Sequence, residues 1–205
     1  MSFLKELSNY WCNEFDWRIH ESKLNEIGSF RYTSESGLKI HFLHSKSKET
    51  NAIPLVMTHG WPGSVQEFIK IIPIIQKNSN VPLDIICPSL PGFGFSDKPQ
   101  EEGMNSKEIA KLQHELIMAL GYKKYIVQGG DWGATISKWM AELYKDACIG
   151  IHLNMVIAWP PATDDPMKNV TEAEQKLLAN YDKYKEQGFG SVSYTHLTLP
   201  TNCVV

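Results

Sequence analysis

From about residue 53 onward, short apolar runs of strand length alternate with segments of helical period. The runs IPLVMTHG (53–60), LDIICPSL (83–90), YIVQGG (125–130) and IGIHLNMV (149–156) are apolar nearly throughout. That is the pattern of parallel strands covered on both faces, not of strands with one wet side. Between them lie SVQEFIKIIPIIQ (64–76), SKEIAKLQHELIMALG (106–121) and ATISKWMAELYKD (134–146), read as helices, the second with Ser106 as N-cap and Gly121 as stop. The order β-α-β-α-β-α-β predicts an α/β fold with a mostly parallel, doubly wound sheet. Ahead of it, SFRYTSESGLKIHFLHS (29–45) reads as two strands around a Ser36–Gly37 turn, the antiparallel edge of the same sheet. After it, Pro160, Pro161 and Pro166 interrupt the pattern, and TEAEQKLLANYDKYKEQG (171–188) begins a charged amphipathic helix.

Ligands of open α/β sheets bind beyond the carboxyl ends of the strands. Three unusual loops fall there: HGWPGS (59–64), PSLPGFGFSD (88–97) and GGDWGA (129–134). The last has the Gly-x-nucleophile-x-Gly form of a strand-to-helix elbow, with Asp131 at the centre where a serine usually stands. Gly129 and Gly133 leave room for close backbone approach, and the following helix N-terminus favours negative charge at Asp131. The N–H groups of Trp61 and Trp132 then aim at one shared position, an oxyanion hole. Each element alone has a plainer reading. Asp131 could be only an N-cap, Gly92 and Gly94 turn glycines, His59 a hydrogen-bonded structural histidine, and Trp61 and Trp132 core aromatics. Three such loops at three successive strand ends favour the functional reading.

Length and composition narrow the class. The 205 residues are 42% hydrophobic and 21% charged, enough to bury a core. A net charge of −3 gives no basic footprint for nucleic acid or an anionic membrane. The four cysteines, Cys12, Cys87, Cys148 and Cys203, show no metal-binding spacing, and Cys87 and Cys148 lie in apolar runs; free thiols in a reducing, intracellular compartment are expected. No run approaches the length of a membrane helix.

On these motifs the chain resembles the epoxide hydrolases of the α/β-hydrolase superfamily, in the microsomal-like group that includes juvenile-hormone epoxide hydrolases. The resemblance rests on FDWRIHESKLNEIGSF and GLKIHFLHSKS, then THGWPGSVQEF, PSLPGFGFSDKP, LGYKKYIVQGGDWGA and GIHLNM, covering about residues 3–160. It implies Asp131 as nucleophile, Trp61 and Trp132 as oxyanion donors, and His59-Gly60-Trp61-Pro62 as the oxyanion-loop motif with a cis bond before Pro62. Gly129 and Gly133 would support the elbow, and Gly92-Phe93-Gly94-Phe95-Ser96 the neighbouring loop. It implies a small apolar epoxide and water as reactants, no cofactor, no metal and no nucleic-acid partner. An acid at the elbow fits that chemistry. A serine attacking a saturated epoxide carbon leaves an ether, whereas a carboxylate leaves an ester that a second step can hydrolyse.

The same resemblance expects an orienting carboxylate, a general-base histidine and two cap tyrosines after the nucleophile, in the order nucleophile, acid, histidine. After Asp131 only His152 and His196 occur. His152 belongs to the strand after the nucleophile's helix. His196 lies in VSYTHLTLPTNCVV (192–205), which reads as the translation of a sequencing-library adapter rather than native sequence. The expected organisation is therefore an epoxide-hydrolase N-terminal segment (1–50), the first part of the α/β-hydrolase core (51–160), the start of a cap (161–190) and a non-native tail (192–205). The base, the acid and the tyrosines are expected outside this chain, leaving it inactive by itself. Any membrane anchor, making the protein microsomal rather than cytoplasmic, is expected upstream of Met1. Two other readings stay open: a haloalkane dehalogenase, which also uses an aspartate nucleophile, and a non-catalytic binding protein that keeps the elbow.

Overall fold

A computed structural model describes residues 2–156 and 165–187. Two helices open the chain, α1 (Ser2–Asn13) and α2 (Trp17–Ile27). Asp16 caps α2, its side chain accepting the Arg18 N–H at 2.8 Å. The strands are β1 (Ser29–Thr33), β2 (Lys39–Ser45), β3 (Ile53–Thr58), β4 (Leu83–Pro88), β5 (Tyr125–Gly129) and β6 (Cys148–Leu153), in one sheet of order β1-β2-β4-β3-β5-β6. β4, β3, β5 and β6 run parallel, whereas the β1–β2 hairpin joins β4 antiparallel. The α/β class, the parallel centre and the antiparallel edge are those the sequence pattern predicts.

Successive residues on the central strands feed two cores, as the period of two requires. Phe42, Val56, Ile86, Tyr125 and Val127 pack with Ala110, Leu116 and Ile117 of α4 (Ser106–Ala119) and with Ile136 and Met140 of α5 (Trp132–Leu143). Their neighbours Leu43, Met57, Ile85 and Cys87 pack with Leu24 of α2 and Ile72 of α3 (Ile71–Asn78). Burial on both faces explains why these strands read as continuous apolar runs.

Several boundaries differ from expectation, each for a local reason. The helix expected over 64–76 is split into a 3₁₀ turn, Val65–Phe68, followed by α3. Within one helix Pro73 would clash with the Ile69 carbonyl; restarting at Ile71 puts it in a first turn, where no N–H is needed. The N-cap of α4 is Asn105, not Ser106: its side chain accepts from the N–H groups of Lys107 and Glu108. Gly121, at φ 89°, follows α4 as the expected stop. α5 starts at Trp132 rather than 134 and ends at Leu143, where Tyr144 leaves the helix and its ring stacks on His114.

Residues 165–187 are described separately and contain α6 (Glu172–Gln187). Thr171 and Glu174 form its capping box, Thr171 Oγ1 accepting the Glu174 N–H and the Glu174 carboxylate accepting the Thr171 N–H. Pro160, Pro161, His196, Cys203 and the segment 192–205 lie outside the described residues. Cys87 is buried, Cys148 half-buried and Cys12 exposed, all free thiols. Among the described residues no helix is long and apolar enough to cross a membrane.

Candidate active site

β5 passes into α5 through Gly130 and Asp131, and Asp131 takes φ 52°, ψ −129°. An L-residue adopts a positive φ at a cost of order 1 kcal/mol, held only where the surroundings over-determine it. Here they do. A Cβ on Gly129 would fall on the Gly133 carbonyl, and one on Gly133 would fall on the Thr58 carbonyl at the end of β3. The elbow is therefore closed backbone to backbone, and two glycines flank the acid because nothing larger fits.

Asp131 occupies the N-cap position of α5 without capping it, since its side chain bonds none of the helix N–H groups. Instead its Oδ1 accepts the Trp61 N–H at 2.7 Å. The plain N-cap reading of this aspartate fails on that geometry. The Trp132 N–H is the first of α5, a position to which the helix itself offers no acceptor. Trp61 and Trp132 are 54% and 56% exposed, so neither is a core aromatic. Trp61 lines the same cavity as the carboxylate.

The loop that supplies Trp61 is fixed from beneath by His59, which is 1% exposed. Its Nε2 accepts the Leu90 N–H at 3.1 Å, so the proton sits on Nδ1 and is donated to the Gly60 carbonyl at 3.0 Å. Burial lowers the pKa of this imidazole, opposed by the bond to Gly60, and keeps it neutral. Both ring nitrogens are committed, so His59 is a clamp between two loops. The Trp61–Pro62 peptide is cis. Gly60 lies directly against Asp131: a Cβ there would meet the carboxylate. In the third loop Ser96 Oγ donates to the Ser89 carbonyl at 2.8 Å and accepts the His41 N–H at 2.9 Å, tying the Gly92–Ser96 turn to the sheet.

A cavity of about 400 Å³ opens beside the elbow, lined among others by Gly60, Trp61, Glu67, Gln128, Asp131 and Asn154. Sequence reasoning did not single out Glu67, Gln128 or Asn154. The Glu67 pKa is raised, chiefly by burial; a hydrogen bond from the Gly60 N–H opposes the rise and the charge of Asp131 adds to it. Its position in the turn after the HGWPGS loop was the one available signal. His152 is exposed on β6 and lines no part of this cavity. No metal-binding cluster of His, Cys, Asp or Glu occurs among the described residues.

Residues 53–197 match the family described as alpha/beta hydrolase fold. The chain belongs to that family. Residues 1–68 match a second family description, epoxide hydrolase N terminus, and the relatives place the chain in the epoxide hydrolase branch. Epoxide hydrolase 1 of Sus scrofa is 40% identical over 166 residues, covering 76% of this chain and 36% of its own. The crystal structure of juvenile hormone epoxide hydrolase from the silkworm Bombyx mori superposes with a TM-score of 0.69 at 41% identity, over 74% of this chain and 41% of that one. The Aspergillus niger epoxide hydrolase superposes with a TM-score of 0.73 at 31% identity, over 98% and 52%. The chain spans less than half the length of the curated relatives it matches.

Proposed function

We propose that this chain carries the nucleophile half of an epoxide hydrolase, which opens a small apolar epoxide to a vicinal diol through an alkyl ester on Asp131. The observation that carries the reading is an acid on a closed elbow, its carboxylate turned away from its own helix and onto the Trp61 N–H. In the first step an Asp131 oxygen attacks an epoxide carbon; the C–O bond of the ring breaks, and the freed oxygen takes a proton from an acid. In the second step water adds to the ester carbonyl carbon, and the oxyanion that forms is held by the Trp61 and Trp132 N–H groups. The diol then leaves with the side-chain oxygen. Gly60, Pro62, Gly129 and Gly133 shape the backbone that makes this possible, and His59 fixes the loop. The match of residues 1–68 to the epoxide hydrolase N terminus favours an epoxide over a haloalkane as the electrophile.

Turnover needs a base for the water, and the described residues around the cavity offer no histidine free to act. His59 has both nitrogens bonded and His152 is not among the residues lining the cavity. We place the base, its orienting acid and the proton donors to the epoxide outside this chain, with residues 161–190 beginning a cap. The test is single turnover of the full-length gene product with styrene oxide in heavy-oxygen water. Label entering the Asp131 peptide, with unlabelled first diol, is expected. Label in the diol and none in that peptide overturns the covalent reading.

A further inference from the structure

The net charge of −3 hides a segregated face. An open groove of about 800 Å³ runs between α2, the loop from β2 to β3 and α3, across the sheet from α4 and α5. Lys23, Lys46, Lys48, Lys70 and Lys77 line it against only Glu26 and Glu49. All five lysines are exposed, and none joins an ion pair among the described residues. The frame that carries them is fixed. Asp84 on β4 accepts the Ser47 N–H at 2.8 Å, which pins the loop between Lys46 and Lys48. Gln76 ties α3 down, its Nε2 donating to the carbonyls of Ser45 at 3.2 Å and Leu83 at 2.9 Å. Residues three and four apart share a helix face, so Lys70, Pro73, Ile74 and Lys77 form one exposed stripe along α3. Ile74 is 56% exposed, and Ile71 beside it 42%. Lys70 stands at the N-cap, where its side chain caps nothing and the helix dipole disfavours a cation. Cations gathered in this way repel one another, a strain that an anionic partner relieves.

We propose that this face docks on an anionic lipid surface, with its lysines among the headgroups and Ile71 and Ile74 at the acyl boundary. Three features favour a bilayer over a single bound anion. No arginine lines the groove. A lysine is a hydrated point charge on a flexible stem, suited to a fluid layer of charge, whereas the arginine fork suits one fixed oxyanion. The lysines are also spread over two helices and a loop. Finally, aliphatic side chains stand in the same stripe as the cations, the combination that holds an amphipathic element in a membrane interface. One short helix offers little apolar area, so attraction between the lysines and anionic lipid supplies most of the binding. The contact is peripheral, since no helix among the described residues crosses a bilayer. No residue of the groove lines the cavity beside Asp131. Docking and reaction therefore use separate surfaces, and the proposal does not rest on the reading of Asp131.

The test is co-sedimentation of the full-length protein with phosphatidylcholine vesicles, with and without phosphatidylserine. Lipid is kept limiting, so that the affinity gained from the anionic lipid stays visible above any other attachment. A gain is expected. It should vanish as salt rises from about 0.1 M to about 1 M and the Debye length shrinks from about 10 Å to about 3 Å. The double variants Lys46→Glu with Lys48→Glu, and Lys70→Gln with Lys77→Gln, should each cut the gain about tenfold or more. These four side chains are exposed, and either pair reads the face if the other fails to fold. Lys138→Glu with Lys145→Glu reverses two exposed lysines on and after α5, across the sheet, and should leave the gain within about twofold. Ile74→Ser should weaken binding without changing its salt dependence. No gain with phosphatidylserine overturns the proposal, and so does an equal loss in the α5 variant, which would assign the effect to bulk charge. Inorganic phosphate that binds as tightly as the vesicles, with the same dependence on the lysines, assigns the groove to a single anion and overturns the lipid surface.

Discussion

A methyl group is enough to probe the elbow. Gly133 and Gly37 are both glycines, but a Cβ at Gly133 runs into the Thr58 carbonyl, whereas one at Gly37 meets nothing within 4 Å and only its φ of 84° resists. Gly133→Ala should therefore cost about 3 kcal/mol, through an overpacked contact with rigid backbone. Gly37→Ala should cost about 1 kcal/mol, through conformation alone. Urea denaturation of the two variants ranks the effects; equal losses would remove the close-packed account of the elbow. His41 offers a pH test. It is buried between Ser29 and Ser89, its ring nitrogens 2.9 and 2.8 Å from their hydroxyls. Burial, with the charge of Arg31 adding, lowers its pKa from 6.5 to about 4. The unfolded chain then binds the proton more readily than the folded one, so this contribution is complete above pH 6.5 and is lost as the pH falls toward 4. The loss reaches about 3 kcal/mol. Denaturation midpoints between pH 7 and 4 check it, and His41→Asn should flatten the dependence.

Individual elements show where sequence is informative. Buried parallel strands announce themselves because both faces must be apolar, and IPLVM and LDIIC could be little else. The elbow was legible for a related reason: Gly129 and Gly133 record contacts that only glycine allows. Ends of helices were harder. The Ser106 assignment missed by one residue, because Asn105 and Ser106 are both good caps and only backbone direction separates them. Asn105→Ala should lower stability by about 1 kcal/mol and Ser106→Ala by much less, which thermal unfolding of the pair would show. The split at Pro73 was encoded in the sequence, but the amphipathic period on either side of it masks the break. Glu67 was not legible, since its environment is made by Gly60 and Asp131, and the latter lies far along the chain. A charged residue in a helical period looks like any solvated one until the loops are in place.

Seen whole, the described core has unequal edges. β1 and β2 close one side of the sheet, but β6 ends the other with Ile149 and Ile151 still 51% and 46% exposed. α1 likewise buries none of its side chains, leaving Phe3, Leu4, Leu7 and Trp11 in water. Apolar surface beside an unpaired strand favours association. The chain by itself should therefore self-associate with rising concentration, and Ile151→Lys should shift it toward monomer in sedimentation velocity. A monodisperse parent chain would contradict this. The lock between Gly133 and Thr58 has a further consequence, for how such a chain can diverge. Because the elbow rests on main chain, no change of side chain elsewhere can make space for a bulkier residue there. Drift is free to rewrite α1 or the surface of α4, whereas a random library should return blanks at Gly129 and Gly133 even when it is screened for folding alone. The nucleophile's address is written into the backbone, so tolerance to mutation should fall off around it before catalysis is ever selected.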